Sequence, residues 1–454
     1  MLNIGLSIVQ NRVASSLSTA FADFGANPSI IAADADQNAL FLSDASTGNV
    51  LTSVSLSEFG APTNGSGFIG FDKSGNAIEY SDGELPRTWD ASNNQWIWMT
   101  DPAVTRISPL DPNSWPIILG VTVLTNPNTD DLNDYTFSRD QHFASVRSQD
   151  DYPVVAGNRY TLSALVHDSS DSNARMLLDS RDDTGVSVFQ CQLLFDAEGN
   201  LTTSNTSFVI SDGVHWGDQS IVTVERGGGW WEVHMSGTAT KTGTTTVHGI
   251  YVGGDVGSGI LRIKALQLTQ TDEFHGLVGG DQTVGNVDRE SLEWFLGSRA
   301  VAAVQAATDL TLGLDFVETG GTYTSPNIPA LAYIKGAGDG IELYALVSNF
   351  GVSDTTSSGR TTISNLGNHN LPGKARLAVG VTASSTDIRA SGDGDPAATV
   401  STFGSLPIDW SEVTEISFGS SWGSWNRDLP GGINKIAIAA VDTSNADLEA
   451  WSGL

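Results

Sequence analysis

Residues 227–268, GGGWWEVHMSGTATKTGTTTVHGIYVGGDVGSGILRIKALQL, decide the fold of this chain. The stretch predicts a glycine turn, a strand led by aromatic residues, a Thr/Gly connection, a second strand, a glycine loop and a closing strand. Apolar side chains recur at every second position from Trp231 to Met235 and, with one break, from Ile260 to Leu268. This alternation is typical of a β-sandwich, in which one face of each sheet is buried. We therefore predict an all-β fold.

Composition limits the partners of the protein. The 454 residues suffice for two or three domains, each with its own core. With 52 acidic against 22 basic residues, the net charge of −30 repels phosphate backbones and anionic lipids. No apolar run approaches membrane-spanning length. We therefore expect no nucleic-acid partner and no membrane insertion.

The cysteine content and the N-terminal sequence bear on where the protein is made. Cys191 is the only cysteine, so no intrachain disulfide can form, and its apolar surroundings predict a small buried side chain. The sequence MLNIGLSIVQNRVASS lacks the basic and apolar regions of a signal peptide. We expect a protein that is made in a bacterial cytoplasm and released by lysis.

Residues 1–84 differ in pattern from the rest of the chain. Residues 8–24 have the spacing of a short amphipathic helix, and two hairpins are predicted with turns at Thr47-Gly48 and Ser74-Gly75. Because this segment has few apolar residues for a core of its own, we interpret it as an attachment or oligomerisation arm.

The order of motifs from residue 85 carries a family resemblance. It runs through Leu85–Asp90, Asn113–Trp115, Val155–Ser163, Gly229–Trp231 and Leu266–Leu268. This order resembles a carbohydrate-binding-type jelly roll found in fibre and spike proteins of tailed-bacteriophage virions. The resemblance implies a jelly-roll domain over residues 85–275.

The C-terminal part is predicted to form a second sandwich. Residues 276–308 are interpreted as a linker with a short helix, which Asp288 could cap. From residue 309 to 454 the strands resemble a concanavalin-like (laminin-G-like) domain, with a final strand from Gly432 and a closing helix from Asp447 to Trp451. The predicted fold class is thus all-β, with tandem β-sandwich or jelly-roll domains, a small N-terminal attachment segment and short linking helices.

The motifs that could carry catalysis are weak. Residues 419–423, GSSWG, match the G-x-S-x-G pattern of a nucleophile elbow, but no histidine follows His369. The seven histidines show no metal-ligand spacing. We therefore predict a protein that is not an enzyme. A carboxylate pair for glycoside cleavage is neither located nor excluded.

No cofactor is predicted, with calcium as an open alternative. Asp393 and Asp395 flank a glycine and could supply oxygen ligands, as some concanavalin-like domains do. A tight hairpin turn explains the same residues and is the favoured interpretation.

Two polar loops contain aromatic residues that could stack on sugar rings. Large aromatics in Gly/Ser-rich loops are costly to expose without a ligand, although many such tryptophans instead cover a core. The candidate glycan-binding residues are Trp422, Trp425, Asn426, Arg427 and Asp428 in one loop and His215 and Trp216 in the other.

The resemblance implies a structural virion protein: a head spike, head fibre or tail fibre. Such a protein would attach to the capsid, portal, neck or tail through its N-terminal arm. It would lie on the virion surface as a homo-oligomer, with a trimer favoured, and bind host-surface polysaccharide through multivalent weak contacts. Two alternatives remain open: a capsid-decorating cement protein, and a polysaccharide depolymerase or glycosidase on the same scaffold.

Overall fold

The structure is a computed structural model. It describes residues 29–44, 50–63, 67–100, 104–148, 154–171, 173–181, 186–209, 216–243, 245–270, 277, 287–289, 292, 294–318, 330–336, 340–345, 350–356, 359–366, 373–381, 385–392, 398–399, 403–404, 409–419, 429 and 431–452. None of the helices within these ranges is long and apolar enough to span a membrane. The predicted helix over residues 8–24 lies outside the described residues.

Seven strands and a short helix come first. They are β1 (Ser29–Asp34), β2 (Ala39–Asp44), β3 (Val50–Ser53), α1 (Leu56–Phe59), β4 (Ile69–Phe71), β5 (Ala77–Glu79), β6 (Arg87–Asp90) and β7 (Gln95–Met99). Helix α1 begins at a capping box, in which Ser55 and Glu58 each bind the other's backbone N–H. Strands β2 and β3 pair, as do β4 and β5, which confirms the two predicted hairpins.

The middle of the chain forms the jelly roll. Its strands are β8 (Val104–Arg106), β9 (Ile117–Leu119), β10 (Val121–Asn126), β11 (Asp134–Arg139), β12 (Ser145–Arg147), β13 (Arg159–His167), β14 (Arg175–Arg181), β15 (Val186–Phe195), β16 (Leu201–Val209), β17 (Trp216–Gly227), β18 (Trp230–Ala239), β19 (Thr245–Tyr251), β20 (Ile260–Gln270) and β21 (Val287–Arg289). One sheet has the order β10-β11-β20-β13-β18-β17 and also carries β8 and β21. The other has the order β16-β15-β14-β19-β12-β9.

The jelly-roll core follows the predicted alternation. Val233, Met235 and Leu266 are fully buried between the two sheets. Cys191 is buried among them, as predicted, and this burial raises the pKa of its thiol to about 12. The thiol is therefore part of the packing and not a reactive group.

The remaining elements complete a second sandwich. They are β22 (Trp294–Phe295), α2 (Ser298–Gln305), β23 (Leu310–Glu318), β24 (Ala330–Lys335), β25 (Gly340–Ala345), β26 (Phe350–Thr356), β27 (Gly359–Leu366), β28 (Gly373–Val381), β29 (Ser385–Gly392), β30 (Ala398–Thr399), β31 (Phe403–Gly404), β32 (Glu415–Phe418), β33 (Gly431–Ala439) and α3 (Asn445–Ser452). Helix α3 confirms the predicted closing helix. The all-β prediction with two sandwiches is confirmed.

The two sandwiches are nested and not consecutive in the chain. Strand β1 pairs with β33 along its length, and β7 pairs with the start of β33. The outer sandwich therefore contains residues 29–99 together with residues 294–452, and the jelly roll is inserted between them. This corrects two predicted boundaries: residues 29–84 are not a separate arm, and Leu85–Asp90 with Trp96–Trp98 do not belong to the jelly roll.

Trp294 connects both parts of the outer sandwich. Its ring centroid lies 5.8 Å from that of Phe59, 5.3 Å from that of Trp98 and 5.9 Å from that of Phe418. Its indole N–H donates a hydrogen bond of 3.0 Å to the carbonyl of Gly60. Residues 294–295 pair with β32, so the short helix predicted in the linker begins at Ser298 and is not capped by Asp288.

The β4–β5 hairpin packs the outer sandwich against the jelly roll. Phe71 and its neighbours in the hairpin share a small core with Trp230. At the hairpin turn, Gly75 has φ +76°, and a Cβ there would lie 2.3 Å from the carbonyl oxygen of Gly227. Lys264 lies over the Trp230 ring at 4.3 Å and pairs with the buried Asp130. The hairpin thus packs against the jelly roll through apolar contacts and through the backbone N–H of Ala77, which donates to the Asp130 carboxylate at 3.2 Å.

A buried charge network lies on the jelly-roll sheet next to this contact. The Arg226 guanidinium donates to Glu232 at 2.7 Å, and His234 Nε2 lies 3.0 Å from the same carboxylate. His234 Nδ1 lies 2.8 Å from the Ser163 hydroxyl. Burial raises the pKa of Glu232, but the charges of Arg226 and His234 more than offset this and lower it to about 2. Burial lowers the pKa of His234.

This network predicts that the fold is sensitive to acid. A histidine with a lowered pKa contributes stability above its ordinary pKa of 6.5, and this stability is lost as the pH falls. Glu232 contributes stability above its ordinary pKa of 4.5, which is lost as the pH falls toward about 2. We expect the midpoint of thermal unfolding to decline below pH 6.5 and more steeply below pH 4.5. His234→Gln should reduce the decline near pH 6, to which His167, whose pKa burial also lowers, contributes as well. A midpoint that rises on acidification from pH 6.5 to 5 would contradict this expectation.

Candidate functional site

A groove on the outward face of the jelly roll is the candidate site. Its floor is the sheet β16-β15-β14-β19-β12-β9, and its volume is about 960 Å³. Three loops form its rim, and they contribute residues 142–144, residues 171 and 173, and residues 253–255 with 258. These dimensions suit a small ligand or a few units of a chain-like ligand.

The floor arises from strand alternation. On β14, Met176 and Leu178 point into the core, so Arg175, Leu177 and Asp179 face outward into the groove. Leu177 is only 9% exposed, although it lies on this outward face. Leu177 therefore gives the floor a buried apolar position among polar neighbours such as Arg175 and Gln190.

Register sets which polar groups lie together. Arg175 lies opposite Tyr251 of β19 on one side and Gln192 of β15 on the other. Leu177 lies opposite Gly249 and Gln190 in the next row. Side chains in such cross-strand pairs are neighbours on one face. Arginine, tyrosine and glutamine thus form one row across the floor.

Arg139 holds the rim in place. Its Nε donates to the carbonyl of Gln141 at 2.9 Å, and its other nitrogens donate to the carbonyls of His142 and Gly254. This guanidinium joins two rim loops. Asp171 supports the third loop, where its carboxylate accepts the backbone N–H of Asn173 at 3.0 Å. A rim that is fixed before binding reduces the entropy lost on binding.

An apolar shelf adjoins the groove. Leu119, Phe143 and Val256 are 42%, 75% and 47% exposed, and they line a depression of about 560 Å³. His142 and Phe143 line both this depression and the groove. Because water penalises exposed apolar surface, an aromatic ring this open beside a concave site indicates a ligand contact.

One predicted glycan-binding residue is corrected by the structure. Trp216 is 1% exposed, and its ring lies edge-to-face with Tyr160 at 6.3 Å and with His248 at 6.4 Å. Its indole is a core side chain and cannot stack on a sugar. The other predicted binding residues lie outside the described residues: His215, Trp422, Trp425, Asn426, Arg427 and Asp428.

The predicted calcium ligands Asp393 and Asp395 also lie outside the described residues. Among the residues that are described, no group of three or more His, Cys, Asp or Glu side chains could hold a metal ion. Calcium binding at Asp393 and Asp395 stays a prediction.

Comparison with known proteins gives distant likenesses. No family model and no curated protein matches the chain. A CBM40 domain of a Ruminococcus gnavus IT-sialidase is 15% identical, with 35% of this chain and 89% of that chain covered and a TM-score of 0.28. Domains LG4-5 of the mouse laminin α1 chain are 14% identical, with 70% and 92% covered and a TM-score of 0.22. A GH43 protein, a BlXynB mutant from Bacillus licheniformis, is 8% identical, with 80% and 76% covered and a TM-score of 0.22. At these scores the likenesses do not assign a function.

Proposed function

We propose that the protein binds glycans in the groove of its jelly roll and does not act on them chemically. The observation that carries this proposal is the presence of accessible aromatic rings and polar side chains in one groove. Tyr251 on the floor and Phe143 on the rim offer faces for the apolar side of a sugar ring. Gln190 offers an amide for its hydroxyl groups.

The same groove suits weak binding at each of several copies of the site. In this proposal the groove accepts an internal segment of a polysaccharide and does not need a chain end. Single sites of this kind bind weakly, and several copies on one particle raise the overall affinity. The motif order that resembles tailed-phage fibres supports display on a virion surface as a head spike, head fibre or tail fibre. In this proposal the N-terminal end of the chain attaches to the capsid, portal, neck or tail.

Removing the aromatic floor tests the binding site. Tyr251→Ala should weaken glycan binding at least tenfold, about 1.4 kcal/mol, because the ring contact and its exclusion of water are lost. Binding to immobilised host polysaccharide by biolayer interferometry measures the effect. Leu124→Ala is the matched control, because Leu124 is 61% exposed on β10 of the opposite sheet. Equal binding by Tyr251→Ala and the wild type would contradict the proposed site.

The virion role is tested by assembly state. We propose a homo-oligomer, with a trimer favoured, which light scattering on the purified chain measures directly. A monomer that does not associate with phage particles would contradict display on a virion. A cement protein remains the alternative if capsids lose stability without this chain and the chain binds no glycan.

A depolymerase is the second candidate function. The observation that favours it is the presence of Asp171, Asp179 and Asp255 among the groove residues, since glycoside cleavage needs two carboxylates. Release of reducing ends from host polysaccharide by the wild type, abolished in Asp171→Asn, would replace the binding proposal.

A further inference from the structure

We infer that the groove selects glycans that carry a carboxylate, and that Arg175 is the residue that binds this carboxylate. This inference rests on the proposed function. Three observations support it. They are the lack of a partner for the Arg175 guanidinium among the described residues, the strand register around Arg175, and the charge of the rim.

Arg175 differs from the arginines that the two sandwiches use internally. Arg226 pairs with Glu232, Arg262 with Asp134 at 2.6 Å, and Arg376 with Asp315 at 2.8 Å. Arg139 is used by carbonyl groups of the rim. Arg175 is exposed, and no residue that the structure describes pairs with its guanidinium.

An arginine without an acidic partner is unexpected in a chain so rich in acidic residues. The chain has 52 acidic and only 22 basic residues, so acidic partners are abundant. Arg175 nevertheless lies on the groove floor with its guanidinium open to a ligand. Because a guanidinium presents several N–H donors in a planar fork, this position suits an anionic group of a ligand.

The surroundings of Arg175 fit one acidic sugar unit. A guanidinium donates two parallel hydrogen bonds to a carboxylate, and this geometry is more selective than a point charge. Tyr251, the cross-strand neighbour of Arg175, can hold the ring that bears this carboxylate. Gln190, in the next row of the floor, offers an amide to a neighbouring hydroxyl.

The rim limits how much negative charge can enter. Asp171 and Asp255 line the groove together with Arg175. Dense polyanions such as nucleic acids would be repelled by these carboxylates and by the net charge of −30. A glycan with one carboxylate per repeating unit presents one anion at the arginine and neutral hydroxyls elsewhere. Uronic-acid polysaccharides have this pattern and are the class that we propose.

Matched polysaccharides test the inference. The full-length chain is applied to an array that carries bacterial and plant uronic-acid polymers, each beside its carboxyl-reduced, neutral form. We expect the wild type to bind at least one acidic polymer tenfold or more tightly than its reduced form. Arg175→Gln should lose this preference, while Arg175→Lys should keep part of it. Arg299→Gln is the control, because Arg299 is an exposed arginine of the outer sandwich.

The outcomes separate this inference from the proposed function. Equal binding of acidic and reduced polymers by the wild type overturns the carboxylate preference and leaves glycan binding standing. A preference that survives in Arg175→Gln overturns the role of Arg175. No binding to any polymer overturns both. An unchanged thermal midpoint in Arg175→Gln shows that the variant is folded, because the side chain is exposed and makes no contact that the fold needs.

Discussion

Glu232→Ala should lower the free energy of unfolding by about 3–5 kcal/mol, because it leaves a buried guanidinium without its partner. Glu232 is fully buried and Arg226 is only 6% exposed. The carboxylate also accepts the backbone N–H of Leu277 at 3.2 Å, so a second buried donor loses its acceptor. Urea titration monitored by tryptophan fluorescence and by circular dichroism measures the change.

A double variant isolates the contribution of the charges. Replacing Arg226 and Glu232 together by methionine removes both charges and fills the space with apolar atoms. Such replacements are often close to neutral, so the double variant should be more stable than Glu232→Ala alone. If Glu232→Ala loses less than 1 kcal/mol, the network does not hold the jelly roll together.

Trp294→Ala should have an effect of similar size on the outer sandwich. Truncation of a buried tryptophan typically costs about 3–5 kcal/mol, because contacts are lost and a cavity remains. Trp294 is fully buried and also bonds the backbone of the N-terminal part through Gly60. Differential scanning calorimetry measures the loss. Phe143→Ala is the control for aromatic truncation, because Phe143 is 75% exposed and should change the midpoint little.

The same variant tests the nesting of the two sandwiches. Trp294 touches Phe59 and Trp98 from residues 29–99 and Phe418 from the C-terminal part. Its removal should therefore speed hydrogen exchange in both parts together. Faster exchange that is confined to the C-terminal part would show that residues 29–99 fold independently.

The strand content is predictable from sequence, but the pairing is not. Alternation in residues 227–268 identifies the buried positions Val233 and Met235, because side-chain period is a local property. The pairing of β1 with β33 joins opposite ends of the described chain. Alternation of apolar and polar residues indicates that a strand has a buried face, but it does not indicate which strand lies beside it. For this reason residues 29–84 resemble, in sequence, an arm without a core.

The candidate site could not be predicted from the sequence, for a related reason. Tyr251 and Arg175 look like ordinary outward residues of two strands, and only their register brings them together. Phe143 lies in a loop whose exposure the sequence does not reveal. The polar residues before Trp216 predict an exposed ring. The ring is instead buried because Gly237 on β18 leaves room for it, and its Cε3 would lie 3.1 Å from a Cβ there.

Hydrogen exchange with and without a bound polysaccharide tests the central claim, that the jelly-roll groove is the glycan site. A polymer that binds on the array is added at saturating concentration, and exchange is measured by mass spectrometry. We expect protection in residues 139–144, 171–179 and 249–258, which form the rim and floor of the groove. Protection that is confined to residues 215–216 or 420–428, or to no segment at all, would contradict this claim.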